Sequence, residues 1–283
     1  MLLHPLTNRI FYMEHSYETD RPVLGLICGE NNSFIVDAGN SPKHAQHFLS
    51  EVQKLSVPPV QYVAITHWHW DHVFGLQEMP YEVIGHEITK RKLDSMRLLS
   101  WYDDALDARV ETGEEIAFCR DRIKKEMPDR RHLQIGAIQK TFQHKMTIDL
   151  GNQIVELIHV GGDHAEDSTI VYIPKEKVLF LGDCLSPDLY SGEWSYTMEK
   201  LQPLIQVIKR LDCRIYITGH HEPETAESFW SYFDSLVELG AFVGKRKSTE
   251  EVVDLFIKTY HHMPSDEQMA CMQYFINGNK KRG

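Results

Sequence analysis

The feature that most limits what this chain can fold into is the run Val60-Gln-Tyr-Val-Ala-Ile-Thr66 and the six residues that follow it, His67-Trp-His-Trp-Asp-His72. The first part is apolar and β-prone and is preceded by Pro58-Pro59, so it reads as a buried strand. The second part sets three histidines and an aspartate at the strand's C-terminal end. His67 and His69 are two apart, so an extended or tightly looped backbone projects both to one side, where they can grip one metal ion. Asp71 and His72 diverge from that pair and are better placed to serve a second ion. The competing reading is a histidine-rich surface loop with Trp68 and Trp70 packed beneath it.

Three further placements weaken that competitor. His164 stands in GGDHAEDS between two expected strands, Asp183 closes the apolar run FLGDC, and His220 closes ITGHHEP. Each sits in a loop at a strand end, where rigid scaffolds present functional groups. Around them, Val23 to Cys28 and Ser33 to Asp37 predict a hairpin, and Ser41-Pro42 opens an amphipathic helix. Residues 81–84 read as a short strand, and residues 86–136 as a helical insertion or lid. Strands are expected at 140–148, 153–160, 169–173, 178–181 and 214–218, a helix at 199–211, and two or three helices in the tail. Strands and helices alternating in two halves predict two sheets sandwiched between helices.

The H-x-H-x-D-H signature at His67 to His72, with the strand-to-turn stretch Phe34-Ile-Val-Asp37-Ala-Gly39, resembles the metallo-β-lactamase superfamily over about residues 7 to 225. The resemblance implies an α/β fold, the four-layer αββα sandwich. Residues 1–225 would then be the catalytic domain, with the insertion at 86–136, and residues 226–283 a helical extension packed on it. It also implies one ion held by His67, His69 and His164, a second held by Asp71, His72 and His220, and Asp183 bridging both. The family's Gly-His order selects His220 over His221, and its use of the Asp37 position is structural support for the ligand loop. The loop GGDHAEDS departs from the family's usual Gly-Pro-Gly-His-Thr-Pro-Gly-Ser, so Asp163, Glu166 and Asp167 are expected to add negative charge beside the metals.

Imidazoles and carboxylates without thiolates suit two divalent ions, zinc first, with manganese, cobalt or iron as alternatives. The expected function is a dinuclear hydrolase that uses a metal-bound hydroxide on a small ester, lactone or thioester, with Asp71 passing the proton to the leaving group. Three alternatives stand beside it: a phosphodiesterase of the same fold, a persulfide dioxygenase with one iron at His67, His164 and Asp183, and a non-catalytic metal-binding module. Asp183 speaks against a β-lactamase, which lacks the bridging aspartate. Ser186 stands where acyl-homoserine lactonases carry a tyrosine.

Composition narrows the partners. Forty-one acidic against 30 basic residues give a net charge of -11, which disfavours nucleic acid and leaves a small-molecule substrate. No apolar run approaches the ~18 residues of a membrane span, so no membrane partner is expected and the reading is cytoplasmic. The five cysteines are scattered and never spaced as CxxC, which argues against a disulfide framework or a thiolate zinc site. Oligomeric state stays open.

Overall fold

Residues 24–28 show how the chain builds its layers. Leu24, Leu26 and Cys28 join one apolar cluster, whereas Ile27 joins another. Residues 169–182 repeat the device: Ile170, Tyr172, Leu179 and Leu181 face one way, and Val171, Ile173, Val178 and Phe180 the other. Successive strand residues point to opposite faces, so a strand buried on both faces shows an unbroken apolar run.

The computed structural model describes residues 2–282. Its first sheet runs β1 (Leu3–Pro5), β2 (Ile10–Met13), β3 (Leu24–Cys28), β4 (Ser33–Val36), β5 (Val60–Ala64), β6 (Glu82–His86) and β7 (Lys140–Phe142), in that spatial order. Pairing is antiparallel up to β4 and parallel from β4 to β7. The second sheet contains β8 (Lys145–Asp149), β9 (Ile154–His159), β10 (Thr169–Ile173), β11 (Val178–Gly182), β12 (Ile215–Thr218) and β13 (Glu224–Thr225). There β11 and β12 pair in parallel and the other neighbours antiparallel.

The inner faces of the two sheets meet in a core that includes Ile27, Phe34, Val36, Ala64, Val171, Phe180 and Ile217. On the outer side of the first sheet lie α1 (Pro42–Val52), the short α2 (Trp70–Val73), α3 (Glu87–Met96), α4 (Asp103–Thr112) and α5 (Ala117–Glu126). On the outer side of the second lie α6 (Met198–Lys209), α7 (Ala226–Val243), α8 (Thr249–Tyr260) and α9 (Asp266–Lys281). This is the four-layer αββα sandwich expected from the sequence. The Ser41 hydroxyl caps α1 by accepting from His44 N at 3.0 Å. None of the helices among the described residues is long and apolar enough to cross a membrane. All five cysteines are free, and four of them are buried.

One expectation changes. The stretch 140–148 is not one strand: β7 closes the first sheet and β8 belongs to the second. Strand propensity is high on both sides of the break, so only the tertiary crossing separates them. The insertion at 86–136 packs against the first sheet. Its Leu93, Met96, Trp101, Leu106 and Ile123 are buried in the outer cluster of the first sheet, so these helices form part of the core wall. The short edge strands β1 and β2 went unforeseen, because LHP and IFYM carry neither a long apolar run nor a clean alternation.

Candidate metal centre

Four strand ends converge at one edge of the sandwich. The chain leaves β5 into Thr66 and His67, and α2 then turns Asp71 and His72 back toward the same point. Asp37, just after β4, fixes this turn. Its Oδ1 accepts from Thr66 N at 2.7 Å, and its Oδ2 accepts from the Thr66 hydroxyl at 2.9 Å and from His72 Nδ1 at 2.8 Å. A carboxylate only accepts, so His72 Nδ1 carries a proton, and Nε2, which faces the site, is the nitrogen left to bind a metal once it gives up its own. The Thr66 hydroxyl, having given its hydrogen to Asp37, accepts from His67 Nδ1 at 3.1 Å, which leaves His67 Nε2 free.

The second sheet supplies the rest. His164 follows β9, and its Nδ1 donates to Pro187 O at 3.1 Å. Asp183 follows β11 through Gly182, which has a left-handed φ of 51° and approaches Thr66 so closely that a Cβ would lie 2.6 Å from its Oγ1. His220 follows β12 through Gly219, where a Cβ would lie 2.1 Å from Asp183 Oδ1. Gly219 N donates to Gly182 O at 2.9 Å, locking the ends of β11 and β12 together.

Two groups of donors result. Single donor atoms of His67, His69 and His164 lie within 4.8 Å of one another, and so do those of Asp71, His72, Asp183 and His220. Asp183 Oδ2 stands between the groups, 3.3 Å from His220 Nε2, 3.5 Å from His72 Nε2, 3.5 Å from His164 Nε2 and 4.0 Å from His67 Nε2. A tetrahedral zinc with bonds of about 2.05 Å has ligand-to-ligand edges of roughly 3.3 Å, so most of these spacings match the edges of a coordination shell. The Nε2 atoms of His67, His72 and His164 are buried without a hydrogen-bond partner. Buried polar atoms are rarely left so, and a cation is what this donor set fits.

The electrostatics separate the groups. Burial, reinforced by neighbouring imidazoles, drives His67 and His69 well below the ordinary histidine range, and burial lowers His164, so all three are neutral. Burial also opposes charge on His72 and His220. There the surrounding carboxylates win, Asp71, Asp37 and Asp183 for His72 and Asp183 and Asp71 for His220, and hold both well above that range. Asp71 and Asp183 are pushed up by burial, but the same two imidazoles hold both below the usual carboxylate range.

All seven residues singled out in the sequence therefore meet at this edge. His221 does not: it is exposed, and its Nδ1 pairs with the Tyr17 hydroxyl at 3.0 Å. The acidic residues flanking His164 turn away from the centre, contrary to expectation. Asp163 accepts from Thr197 N and Oγ1 at the start of α6, at 2.7 and 2.9 Å. Asp167 is buried against the Thr89 hydroxyl, its carboxyl pushed up to about 7 by burial. Glu166 faces Lys92 at 3.6 Å. Reasoning from sequence missed Asp20, whose Oδ1 lies 3.5 Å from His220 Nδ1 and whose backbone has a φ of 60°. No local pattern marks that residue.

A cavity of about 250 Å³ opens over the centre. Tyr190 and Trp194 line it, whereas Trp70 and Trp101 are buried in the core.

Among solved structures, a metallo-β-lactamase from Pontibacter korlensis is similar with a TM-score of 0.56 and 19% identity, over 83% of this chain and 98% of that one. DIM-1 metallo-β-lactamase gives a TM-score of 0.56 and 18% identity over 83% and 96% of the two chains. The stereoselective inverting sec-alkylsulfatase Pisa1 from Pseudomonas sp. gives 0.67 at 12% identity, covering 99% of this chain and 50% of that one. At such identities the likeness concerns the fold. No curated protein matches the chain. The sequence model of the metallo-β-lactamase superfamily matches residues 22–220, the span that holds every residue of both donor groups. By that match, by its αββα layers and by the two donor groups at the sheet edge, the chain belongs to the metallo-β-lactamase superfamily, whose members are mostly metal-dependent hydrolases.

Proposed function

We propose that the protein is a dinuclear metal-dependent hydrolase of a small ester, lactone or thioester, working within a catalytic unit of residues 1–225 on which 226–283 form an extension. The observation that carries this reading is the position of Asp183 Oδ2 within 4.0 Å of imidazole nitrogens from both donor groups. His67, His69 and His164 would hold one ion, Asp71, His72 and His220 the other, and Asp183 both. A bound pair of divalent ions, zinc in this proposal, supplies an acidified water and a Lewis acid for the scissile carbonyl. Asp37 and Pro187 O orient His72 and His164 so that the Nε2 atom of each faces the site. Asp71 lines the cavity, and its carboxylate is the group we assign to take the proton of the attacking water and return it to the leaving group. A substrate seated in the cavity would displace water from it, which strengthens the charge interactions within.

Elemental analysis of protein purified without added metal, followed by a substrate panel, tests the proposal. The panel comprises p-nitrophenyl acetate, γ-lactones, acyl-homoserine lactones, acyl thioesters, bis-p-nitrophenyl phosphate, nitrocefin and a sec-alkyl sulfate. Two ions per chain and metal-dependent acyl transfer to water are expected. One iron and no second ion would replace the hydrolase with the dioxygenase reading. Turnover of the phosphodiester or the sulfate alone would move the chemistry off the carbonyl.

A further inference from the structure

The cavity above the metal centre is walled by residues from three distant segments. Tyr17 comes from the turn before β3, Phe118 from α5, and Leu189, Tyr190 and Trp194 from the loop between β11 and α6. Tyr17, Phe118 and Trp194 are 59%, 42% and 44% exposed, so three large aromatic surfaces stand open to solvent at its mouth. Exposed aromatics gathered at one opening mark a site that covers them with a ligand. The hydroxyls of the two tyrosines in the lining already have neighbours. The Tyr17 hydroxyl pairs with His221 Nδ1, and the Tyr190 hydroxyl lies 3.4 Å from Cys119 Sγ while the Tyr190 ring stands 5.1 Å from that of His69.

The charged groups in the lining belong to the donor groups or touch them. Asp20, Asp71 and Asp183 contribute carboxylates, and no lysine or arginine is among the described residues that line the cavity. The histidines in the lining, His69, His164 and His220, belong to the two donor groups. Arg122 comes near the mouth, but its guanidinium stacks over the Phe118 ring at 5.1 Å and its Nη1 is given to Glu18 O at 2.7 Å.

From the aromatic mouth and an apolar wall without a basic side chain we infer that the part of the substrate seated against that wall is uncharged and apolar, an alkyl or aryl acyl group of a few carbons. The inference rests on the hydrolase reading for the reaction and stands apart from it for the binding. An anionic group seated against this wall, away from the donor groups, would lose its water and find no basic side chain there to replace it. A methylene added to an apolar chain gains about fourfold in affinity until the walls are filled. At 250 Å³ the cavity lies below the usual range for drug-sized ligands, so this gain ends after a few carbons.

The test uses the full chain loaded with metal and two matched pairs of probes. p-Nitrophenyl hexanoate is compared with p-nitrophenyl 5-sulfopentanoate by kcat/KM, and 2-heptanone with 5-oxohexane-1-sulfonate by ligand-observed NMR titration. Each pair differs only in a terminal methyl against a sulfonate, an anion that coordinates metals weakly, so the comparison reads the walls. The neutral member of each pair is expected to win by on the order of 100-fold, the scale of an uncompensated buried charge. Trp194→Arg, with Phe118→Arg as a second variant and circular dichroism as the folding control, should cut that preference to about tenfold or less by supplying a partner. Equal or tighter binding of the sulfonated ketone, or binding of neither ketone, overturns the inference. If the neutral ketone binds preferentially while no ester is turned over, the inference stands and the hydrolase reading falls.

Discussion

Asp37→Asn should weaken both metal sites without touching a single ligand. Asp37 is 2% exposed, and its carboxylate takes three hydrogens, from Thr66 N, Thr66 Oγ1 and His72 Nδ1, at 2.7 to 2.9 Å. Asparagine has nearly the same shape and tolerates the left-handed backbone at this position, where φ is 61°. The amide oxygen can still accept from Thr66 N, which places the amide NH₂ where Oδ2 was. His72 Nδ1 must then become an acceptor, and its proton moves to Nε2, the nitrogen that faces Asp183. The Thr66 hydroxyl, now accepting from the amide, turns its own hydrogen to His67 Nδ1 and forces the same exchange there.

Holding a ligand against the wrong tautomer costs about 1.5 to 3 kcal/mol, the worth of a hydrogen bond to a charged acceptor. That corresponds to a loss of roughly 10- to 100-fold in affinity, the range seen when the outer partners of metal-binding histidines are removed. Titration against a competing chelator, with both ions resolved, reads the effect. Thr66→Val serves as the partial case: Asp37 keeps His72 in place while His67 Nδ1 loses its partner, so the His67, His69 and His164 site alone should weaken. The reasoning fails if Asp37→Asn binds both ions within twofold of the unaltered protein.

Other outcomes follow from the same geometry. Ion uptake by the His72 and His220 site should release protons, because both imidazoles are held charged without metal, whereas uptake by the neutral His67, His69 and His164 site should release almost none. Calorimetry in buffers of different ionisation enthalpy separates the two. The raised pKa of His72 and His220 stabilises the metal-free protein below ~6.5, and this is lost as pH rises through the folded values. The gap in Tm between loaded and metal-free protein should therefore widen from about pH 6 to about pH 9, and a constant gap would contradict the assignment. Gly219→Ala should lower turnover by at least ~100-fold, since its Cβ would stand 2.1 Å from Asp183 Oδ1 and must displace the carboxylate proposed to bridge the ions. His220→Ala should lose one ion, whereas His221→Ala, at an exposed residue bonded to Tyr17, should keep both by elemental analysis.

The seven clustered donors were legible because each lies beyond the end of a buried strand. β5, β9, β11 and β12 announce themselves as apolar runs, and a histidine or aspartate just beyond such a run is conspicuous against its neighbours. Direction was not legible. Asp163 and Asp167 flank His164 and share its loop, yet their partners are Thr197 and Thr89, 34 and 78 residues away, and only folding reveals which way each carboxylate turns. The break between β7 and β8 was hidden for a related reason, since two strands of separate sheets can be adjacent in sequence with no loss of β propensity.

The cavity walls lay still further out of reach. Tyr17, Phe118 and Trp194 occupy a turn, a helix and a loop, and each is flanked by ordinary surface sequence. A ligand is constrained by bond lengths to the strand that delivers it, so its place recurs in the pattern of the chain. A wall residue needs only bulk at the right height above the metals, and any of several elements can supply it. The chemistry of this fold is therefore written locally, near strand ends, while the choice of substrate is distributed over segments that meet only after the sandwich has closed.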